Sequence, residues 1–190
     1  MELKHAEISG KISAEQERLS RIEALMKICN QEAYVMKYDI VVKSIEPVRV
    51  ASLRDIILSY SEQGHLWREL SEHIQKNNAK IVPPCMAIYH DPGYKEEGID
   101  AEVIEPIIGD ISETDRIKVK VLEGVKEMAC VVHEGSFQTL HMAYNAISQW
   151  IEENGYEIIG SQRELYLKGE WITNNPDEYV TEIQFPVRKK

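Results

Sequence analysis

The feature that most constrains the fold of this chain is an internal repeat. Segments in the first half of the sequence resemble segments in the second half, in the same order. The matched pairs are Glu46–Ala51 with Glu123–Ala129, 64–78 with 137–154, Asn77–Val82 with Asn154–Ile159, Ala87–Gly93 with Glu164–Gly169, and Ile99–Ile108 with Tyr179–Val187. Each copy reads as two strands, a helix and two further strands. Two such β-β-α-β-β units, each with one sheet face to cover, are expected to pack about a pseudo-twofold axis. The sequence therefore predicts an α+β fold in which the helices cover one face and the two half-sheets meet along a groove.

Hydrophobic periodicity places one helix in each copy. The apolar residues of both segments recur at three- and four-residue steps, which is typical of a helix with one buried face. In the first copy this stripe consists of Leu66, Leu70 and Ile74, flanked by Trp67, and in the second of Leu140, Ala143, Tyr144, Ile147 and Ile151.

Two strands near the C-terminus carry the strongest candidate for a ligand site. Segments 160–168 and 179–187 contain β-branched and aromatic residues in short runs bounded by turn residues. Because residues two apart on a strand share a face, Glu164 points the same way as Tyr166. We expect Leu165 and Leu167, on the other face, to pack into the core. A carboxylate beside aromatic rings on such a strand is a candidate binding group.

Composition and charge exclude several classes of function. The 190 residues are 43% hydrophobic and carry a net charge of −10, so the chain repels phosphate backbones and is a poor nucleic-acid binder in itself. A negative field favours cationic small molecules, but it is weak evidence for such a ligand, because many acidic proteins are merely soluble. The sequence contains neither a signal peptide nor a membrane span, and its three cysteines lack metal-ligand spacing, which favours a reducing cytoplasm. The six histidines are scattered, and we assign no metal or cofactor.

Residues 1–30 differ from the rest of the chain. Their apolar residues follow alternating four- and three-residue steps, with charged residues on the other faces, and this pattern is typical of a coiled-coil seam about three heptads long. The seam residues are Ile8, Ile12, Leu19, Ile22, Met26 and Cys29, with Glu15 at one seam position. We predict a helix that forms a homodimer by coiled-coil pairing. The alternative is a helix that packs on its own domain.

Two stretches of this sequence resemble a known family. Arg163–Leu167, followed by Glu178–Val187, resembles the C-terminal signature of the GyrI-like small-molecule-binding superfamily, and Pro84–Gly93 with Ile99–Ile108 resembles its other half. The resemblance covers residues 37–188. Residues 1–30 resemble the linker helix that dimerises MerR-type regulators, which in multidrug-responsive members precedes such an effector domain. The winged helix-turn-helix of those regulators has no counterpart here, so DNA would be bound only through a missing N-terminal domain. The chain is either a fragment that begins at the linker or a ligand-binding protein without a DNA reader.

The resemblance implies a function and a set of site residues. It implies an effector domain that senses hydrophobic, cationic molecules, with Glu164 as the central acidic residue, Tyr166 beside it and Glu182 on the neighbouring strand. Tyr89 would form the pseudo-symmetric aromatic wall. Weaker candidates for the rest of the lining are Trp67, Tyr144, Trp171 and Phe185. Against this stands a simpler interpretation in which Glu164 is a surface residue paired with Arg163 or Lys168 and the tyrosines belong to the core.

Two other functions of the superfamily remain open at this stage. Some of its proteins are hydrolases, and a desolvated Glu164 could act as a base towards water while Tyr166 steadies the developing charge. The predicted linker helix argues against an enzyme, because a free-standing hydrolase has no need of it. Tetrapyrrole binding would require an axial ligand, for which His90 is the nearby candidate, and its position in a turn makes that weak.

Overall fold

The computed structural model describes residues 38–190. The coiled coil predicted for residues 1–30 lies outside the described residues and stays a prediction. In the described part, two copies of the same series of elements follow one another. The first consists of β1 (Ile40–Ile45), β2 (Val48–Ile57), α1 (Gly64–Lys76), β3 (Lys80–Ile81), β4 (Cys85–Tyr89) and β5 (Ile99–Ile108). The second consists of β6 (Ile117–Leu122), β7 (Val125–Glu134), α2 (Leu140–Glu153), β8 (Tyr156–Ile158), β9 (Gln162–Lys168) and β10 (Val180–Lys189). The predicted α+β duplication is confirmed.

The strands of both copies join in one antiparallel sheet. Its main order is β1-β7-β10-β9-β4-β5-β2-β6, while the short strands β3 and β8 pair with β5 and β10. The order reads the same from either end once each strand is exchanged for its counterpart in the other copy. At its centre, β4 pairs with β9 and Ala87 lies opposite Glu164, with Cys85 opposite Tyr166 and Tyr89 opposite Gln162. The pseudo-twofold axis therefore passes between Ala87 and Glu164.

The two copies exchange their first strands. β1 pairs with β7 of the second copy, and β6 pairs with β2 of the first copy. The sequence repeat alone does not say which copy each strand joins. The half-sheets are thus joined twice, once by the β4–β9 pairing and once by the exchanged strands.

Both helices pack on one face of this sheet, which we call the helix face. In α1, Leu66, Leu70 and Ile74 are fully buried against β2 and β5, as the apolar stripe predicts. In α2 the same role falls to Leu140, Ala143, Ile147 and Ile151, which pack against β7 and β10. No helix within residues 38–190 is long and apolar enough to cross a membrane.

The opposite face carries its own apolar cluster. Val50, Met86, Ile88 and Ile104 are buried there, and Leu165 packs against them. The prediction that Leu165 and Leu167 form the core face of their strand is wrong in its main point, because the larger cores lie under the helices and Leu167 is exposed. The face of β9 that carries Glu164 and Tyr166 is the one that points towards the helices.

Candidate functional site

Glu164 lies at the centre of the helix face. A single row of paired residues crosses the eight strands of the main order, and Glu164 is its only charged member. The row runs Ile40, Val131, Ile183, Glu164, Ala87, Val103, Leu53 and Ile117. At the position equivalent to Glu164, the first copy has Ala87, so the pseudo-symmetric sheet carries one central carboxylate.

Three phenol hydroxyls hold this carboxylate. Tyr144 on α2 donates to Oε1 at 2.6 Å, Tyr166 on β9 donates to Oε2 at 2.9 Å, and Tyr89 on β4 donates to Oε2 at a longer 3.5 Å. Tyr89 and Tyr166 are pseudo-symmetry mates, since each stands two residues beyond the axis on its own strand. The two oxygens of a carboxylate offer about four acceptor sites, so the three tyrosines nearly saturate Glu164.

The carboxylate of Glu164 is buried without a counter-charge. Only 6% of the residue is exposed. Burial raises its pKa above the ordinary value, and the hydrogen bonds from Tyr144, Tyr166 and Tyr89 only partly oppose this. Among residues 38–190, no Lys, Arg or His pairs with it. The charged form of Glu164 therefore has no cation beside it in the described residues.

A second set of side chains fixes the tyrosines from the side of α1. The Gln63 amide donates to the Tyr166 hydroxyl at 3.3 Å, and its carbonyl accepts from the Trp67 indole N–H at 3.3 Å. Gln63 directly precedes α1 and Trp67 lies in its first turn, so a chain of hydrogen bonds runs from the start of this helix to Glu164. Burial raises the pKa of Tyr89, Tyr144 and Tyr166 well above 10, and the negative charge of Glu164 adds to this, so the phenols remain donors.

Aromatic rings surround the tyrosines. The rings of Trp67, Phe137 and Trp171 lie nearly perpendicular to the Tyr166 ring, with ring centroids 5.7–6.5 Å away. Of these, Trp171 is 58% exposed and Phe137 38% exposed, so their rings bound the site on its solvent side. The absence of a side chain at Gly169 permits this position of Trp171, because a Cβ there would lie only 2.3 Å from the indole ring.

The structure brings together most of the residues predicted from the sequence. Tyr89, Tyr144 and Tyr166 bind Glu164 directly, while Trp67 and Trp171 contact the Tyr166 ring. Phe185 packs beneath Tyr144 at 6.0 Å between ring centroids and belongs to the core under α2. It supports the site without a recorded contact to the carboxylate.

Glu182 does not share this site. Ile183 is the residue of β10 that lies opposite Glu164, so Glu182 projects from the opposite face of the sheet. There it pairs with Lys43 at 2.9 Å and accepts from the Gln184 amide. The prediction that places Glu182 beside Glu164 is therefore wrong, by a register difference of one residue, which reverses the face of a strand side chain. His90 also lies away from Glu164, hydrogen-bonded to Glu102 at 3.0 Å.

Several residues near the site are not apparent in the sequence pattern. Gln63, Phe137 and Tyr60 lie just before or within the turns that lead into the helices, where no periodicity marks a functional face. Tyr60 packs edge-on against Tyr89 at 5.1 Å and stacks on Tyr94. The equivalent positions of Trp67 and Tyr144 in the two helices are the one signal that could have linked these segments to the central strand.

Comparison with known proteins assigns this arrangement to a family. Residues 36–188 match the GyrI-like small molecule binding domain. The chain belongs to the GyrI-like family. The structure matches that of the EcmrR C-terminal domain with a TM-score of 0.76 and 31% identity, over 80% of this chain and 99% of that one. The predicted resemblance to the effector domain of MerR-type regulators is thereby confirmed.

Two further solved structures show the breadth of the GyrI-like fold. EcmrR in its DNA complex within EcmrR-RPo matches with a TM-score of 0.78 and 30% identity, over 100% of this chain and 71% of that chain. A hydrolase from Listeria innocua encoded by lin2189 matches with a TM-score of 0.60 but 15% identity, over 79% of this chain and 92% of that one, which shows a common fold alone. No curated protein matches the chain.

Proposed function

We propose that residues 37–188 form the effector-binding domain of a transcription regulator and that they bind lipophilic cations with Glu164 as the counter-charge. The observation that carries this proposal is the buried Glu164 carboxylate, which is held by three phenol hydroxyls and has no cationic partner in the described chain. A buried carboxylate without a counter-ion is costly, and an entering cation removes that cost.

The aromatic surroundings suit the rest of such a ligand. Tyrosine and tryptophan faces attract a cation through their quadrupoles, by about 2 kcal/mol where water is excluded. Apolar burial is undirected and contributes most of the remaining affinity, so ligands of varied shape can be accommodated. Trp171 and Phe137, on the solvent side, are the rings that a ligand displaces when it enters.

The similarity to EcmrR supports a role in transcription. The EcmrR structure that matches the whole of this chain is a complex with DNA. We propose that this chain acts with a DNA-binding domain N-terminal to the linker and that residues 1–30 supply the homodimer. Ligand entry would change how the domain packs on the linker or on its DNA-reading partner. In the described chain Cys85 and Cys130 are free thiols, in keeping with a reducing cytoplasm.

A titration with tetraphenylphosphonium tests the proposal. Binding is followed by tryptophan fluorescence in the wild-type protein and in Glu164→Gln, which removes the charge at nearly constant shape. We expect affinity to fall about tenfold or more, a loss of about 1.4 kcal/mol per factor of ten. Glu157→Gln is the matched control: it removes one negative charge from an exposed side chain that pairs with Arg188. Equal affinity in wild type and Glu164→Gln would refute the role of Glu164.

The geometry around Glu164 supports the hydrolase alternative less well than it supports ligand binding. A buried carboxylate with a raised pKa is a reasonable general base, and this observation keeps the alternative open. However, a base must contact the water that it activates, and the oxygens of Glu164 already accept three hydrogen bonds. Ester hydrolysis by the wild-type protein that disappears in Glu164→Gln, without binding of tetraphenylphosphonium to either, would favour the enzyme.

A further inference from the structure

The buried glutamates of the described chain divide according to the face of the sheet on which they lie. On the opposite face, Glu102 bonds to Lys120 and His90, and Glu182 pairs with Lys43. On the helix face, Glu164 and Glu105 have only hydroxyl donors. Every buried glutamate of residues 38–190 that faces away from the helices thus has a cation, and both of those under the helices lack one.

Glu105 is the less satisfied of the two on the helix face. Ser71 on α1 donates to its Oε1 at 2.6 Å, while its Oε2 is buried and has no hydrogen-bond partner. The residue is 4% exposed. A buried acceptor left without a donor costs about 1–3 kcal/mol, more when it is charged, so an unpartnered oxygen of this kind requires an explanation.

The Glu105 carboxylate lies on the helix face of the sheet, as Glu164 does. Val103 belongs to the register row of Glu164, and Glu105 stands two residues further along β5 and therefore on the same face. From strand spacing and rise, the two glutamate Cα atoms are about 12 Å apart. Ser71 also follows Trp67 by one turn of α1, and Trp67 contacts the Tyr166 ring. One helix thus covers both the edge of the Glu164 site and Glu105.

The repeat shows that the fold does not need an acid at this position. Val103 pairs with Ala87 in the first copy, and Ile183 pairs with Glu164 in the second, so Val103 and Ile183 are counterparts. Glu105 and Phe185 each lie two residues further along the strand and are therefore counterparts as well. Phe185 fills that place with an apolar ring that packs against Tyr144. The first copy carries a buried carboxylate where an apolar side chain serves the same architecture.

We propose that Glu105 is a second anionic subsite, which takes a small cationic group, such as a primary ammonium, of a ligand whose lipophilic cation is held at Glu164. The inference rests on the proposed function, because it adds a second contact to the same ligand. An ammonium supplies the donor that Oε2 lacks, and a charge-assisted bond of this type is about twice as strong as a neutral one.

The test compares two ligands that differ by one amine. Hexyltriphenylphosphonium carries one cation, and (6-aminohexyl)triphenylphosphonium adds an ammonium at the end of the same chain. Calorimetric titration of the full chain is expected to show about tenfold tighter binding of the amine compound. In Glu105→Gln this advantage disappears, while the affinity for hexyltriphenylphosphonium stays within about twofold of wild type.

A second variant, at Ser71, changes the surroundings of Glu105 and keeps its charge. Ser71→Ala removes the hydroxyl that bonds Oε1 and leaves the carboxylate in place, so the amine advantage is retained. The subsite is overturned if wild type shows no preference for the amine, if Glu105→Gln keeps the preference, or if Glu105→Gln weakens both ligands equally. Failure of hexyltriphenylphosphonium to bind wild type refutes the proposed function and this inference with it, whereas loss of the amine advantage alone leaves the proposed function standing.

Discussion

At the scale of single residues, the arrangement of Glu164 and Glu102 shows how one sheet gives two carboxylates opposite properties. Burial alone raises the pKa of both. At Glu102, bonds from His90, Lys120 and Ser52 reverse the effect and bring the pKa to about 2. At Glu164 the donors are neutral phenols, and the pKa stays above the ordinary value. Cationic partners therefore make Glu102 a structural anion, while Glu164 has no cationic partner among residues 38–190.

The raised pKa of Glu164 predicts a pH dependence of stability. A proton binds more tightly to Glu164 in the folded chain than in the unfolded chain. Its stabilising contribution is complete below the unfolded pKa, about 4.3, and is lost as pH rises towards the folded pKa. Each unit between the two values corresponds to about 1.4 kcal/mol. We expect Glu164→Gln to become progressively more stable relative to wild type as pH rises above 4.

Thermal unfolding of both proteins between pH 4 and pH 8 measures this difference. Glu105 and the other titrating groups are present in both proteins and cancel in the subtraction. The lowered pKa of Glu102 likewise contributes equally in both proteins. A difference in melting temperature that stays constant with pH would show that Glu164 ionises normally in the folded protein.

At the scale of elements, the exchanged strands β1 and β6 each contribute a side chain to the core under the helix of the other copy. Val42 on β1 packs into the core under α2, whereas Val119 on β6 packs into the core under α1. These two residues hold equivalent positions on the exchanged strands, since Val42 pairs with Ala129 and Val119 with Ala51. Each copy is therefore completed by a strand of the other copy.

Matched substitutions of these valines test the exchange. Val42→Asp places a charge in the core of the second copy, and we expect faster amide hydrogen exchange in α2 than in α1, because local opening follows loss of apolar contacts. Val119→Asp is expected to reverse the order and to loosen α1. If Val42→Asp instead loosens α1, the helix of its own copy, the exchanged pairing is wrong.

How much of the fold can be read from the sequence also depends on the element. Strand β5 is predicted at its observed limits, and both helices are found, because a buried apolar face leaves a periodic signal. The exchange of β1 and β6 leaves no such signal, since either partner would bury the same residues. The position of Glu182 fails for a similar reason: a strand pattern with acids and apolar residues on both faces does not determine which face meets the helices.

The site itself is predicted in part. Strand alternation, the internal repeat and the resemblance to a family together predict Glu164 and its three tyrosines. Gln63 and Phe137 are missed because they lie in turns, and only the packing of α1 and α2 on the sheet brings them to Tyr166. Glu105 is missed because its significance is visible only from an oxygen that has no partner.

At the scale of the whole molecule, the sheet connects the candidate site to the point where the N-terminal segment enters. Residues 1–37 precede β1, and Ile40 of β1 belongs to the register row that contains Glu164. Under the proposed function, ligand binding must be conveyed to the N-terminal segment. This row is a continuous run of paired strands from Glu164 to β1, which follows that segment. The state of association of the N-terminal segment therefore bears directly on the proposed function.

The last prediction concerns that association. The seam predicted for residues 1–30 is about three heptads long, and in the predicted coiled coil its side chains would bury their apolar surface against a second helix. We expect the full chain to sediment as a dimer and a variant that begins at residue 31 to sediment as a monomer at the same concentration. Leu19→Asp in the full chain is the matched test, because it places a charge in the seam without shortening the protein. A truncated chain that remains dimeric would place the dimer interface within residues 31–190, and regulation would then have to act without the coiled coil.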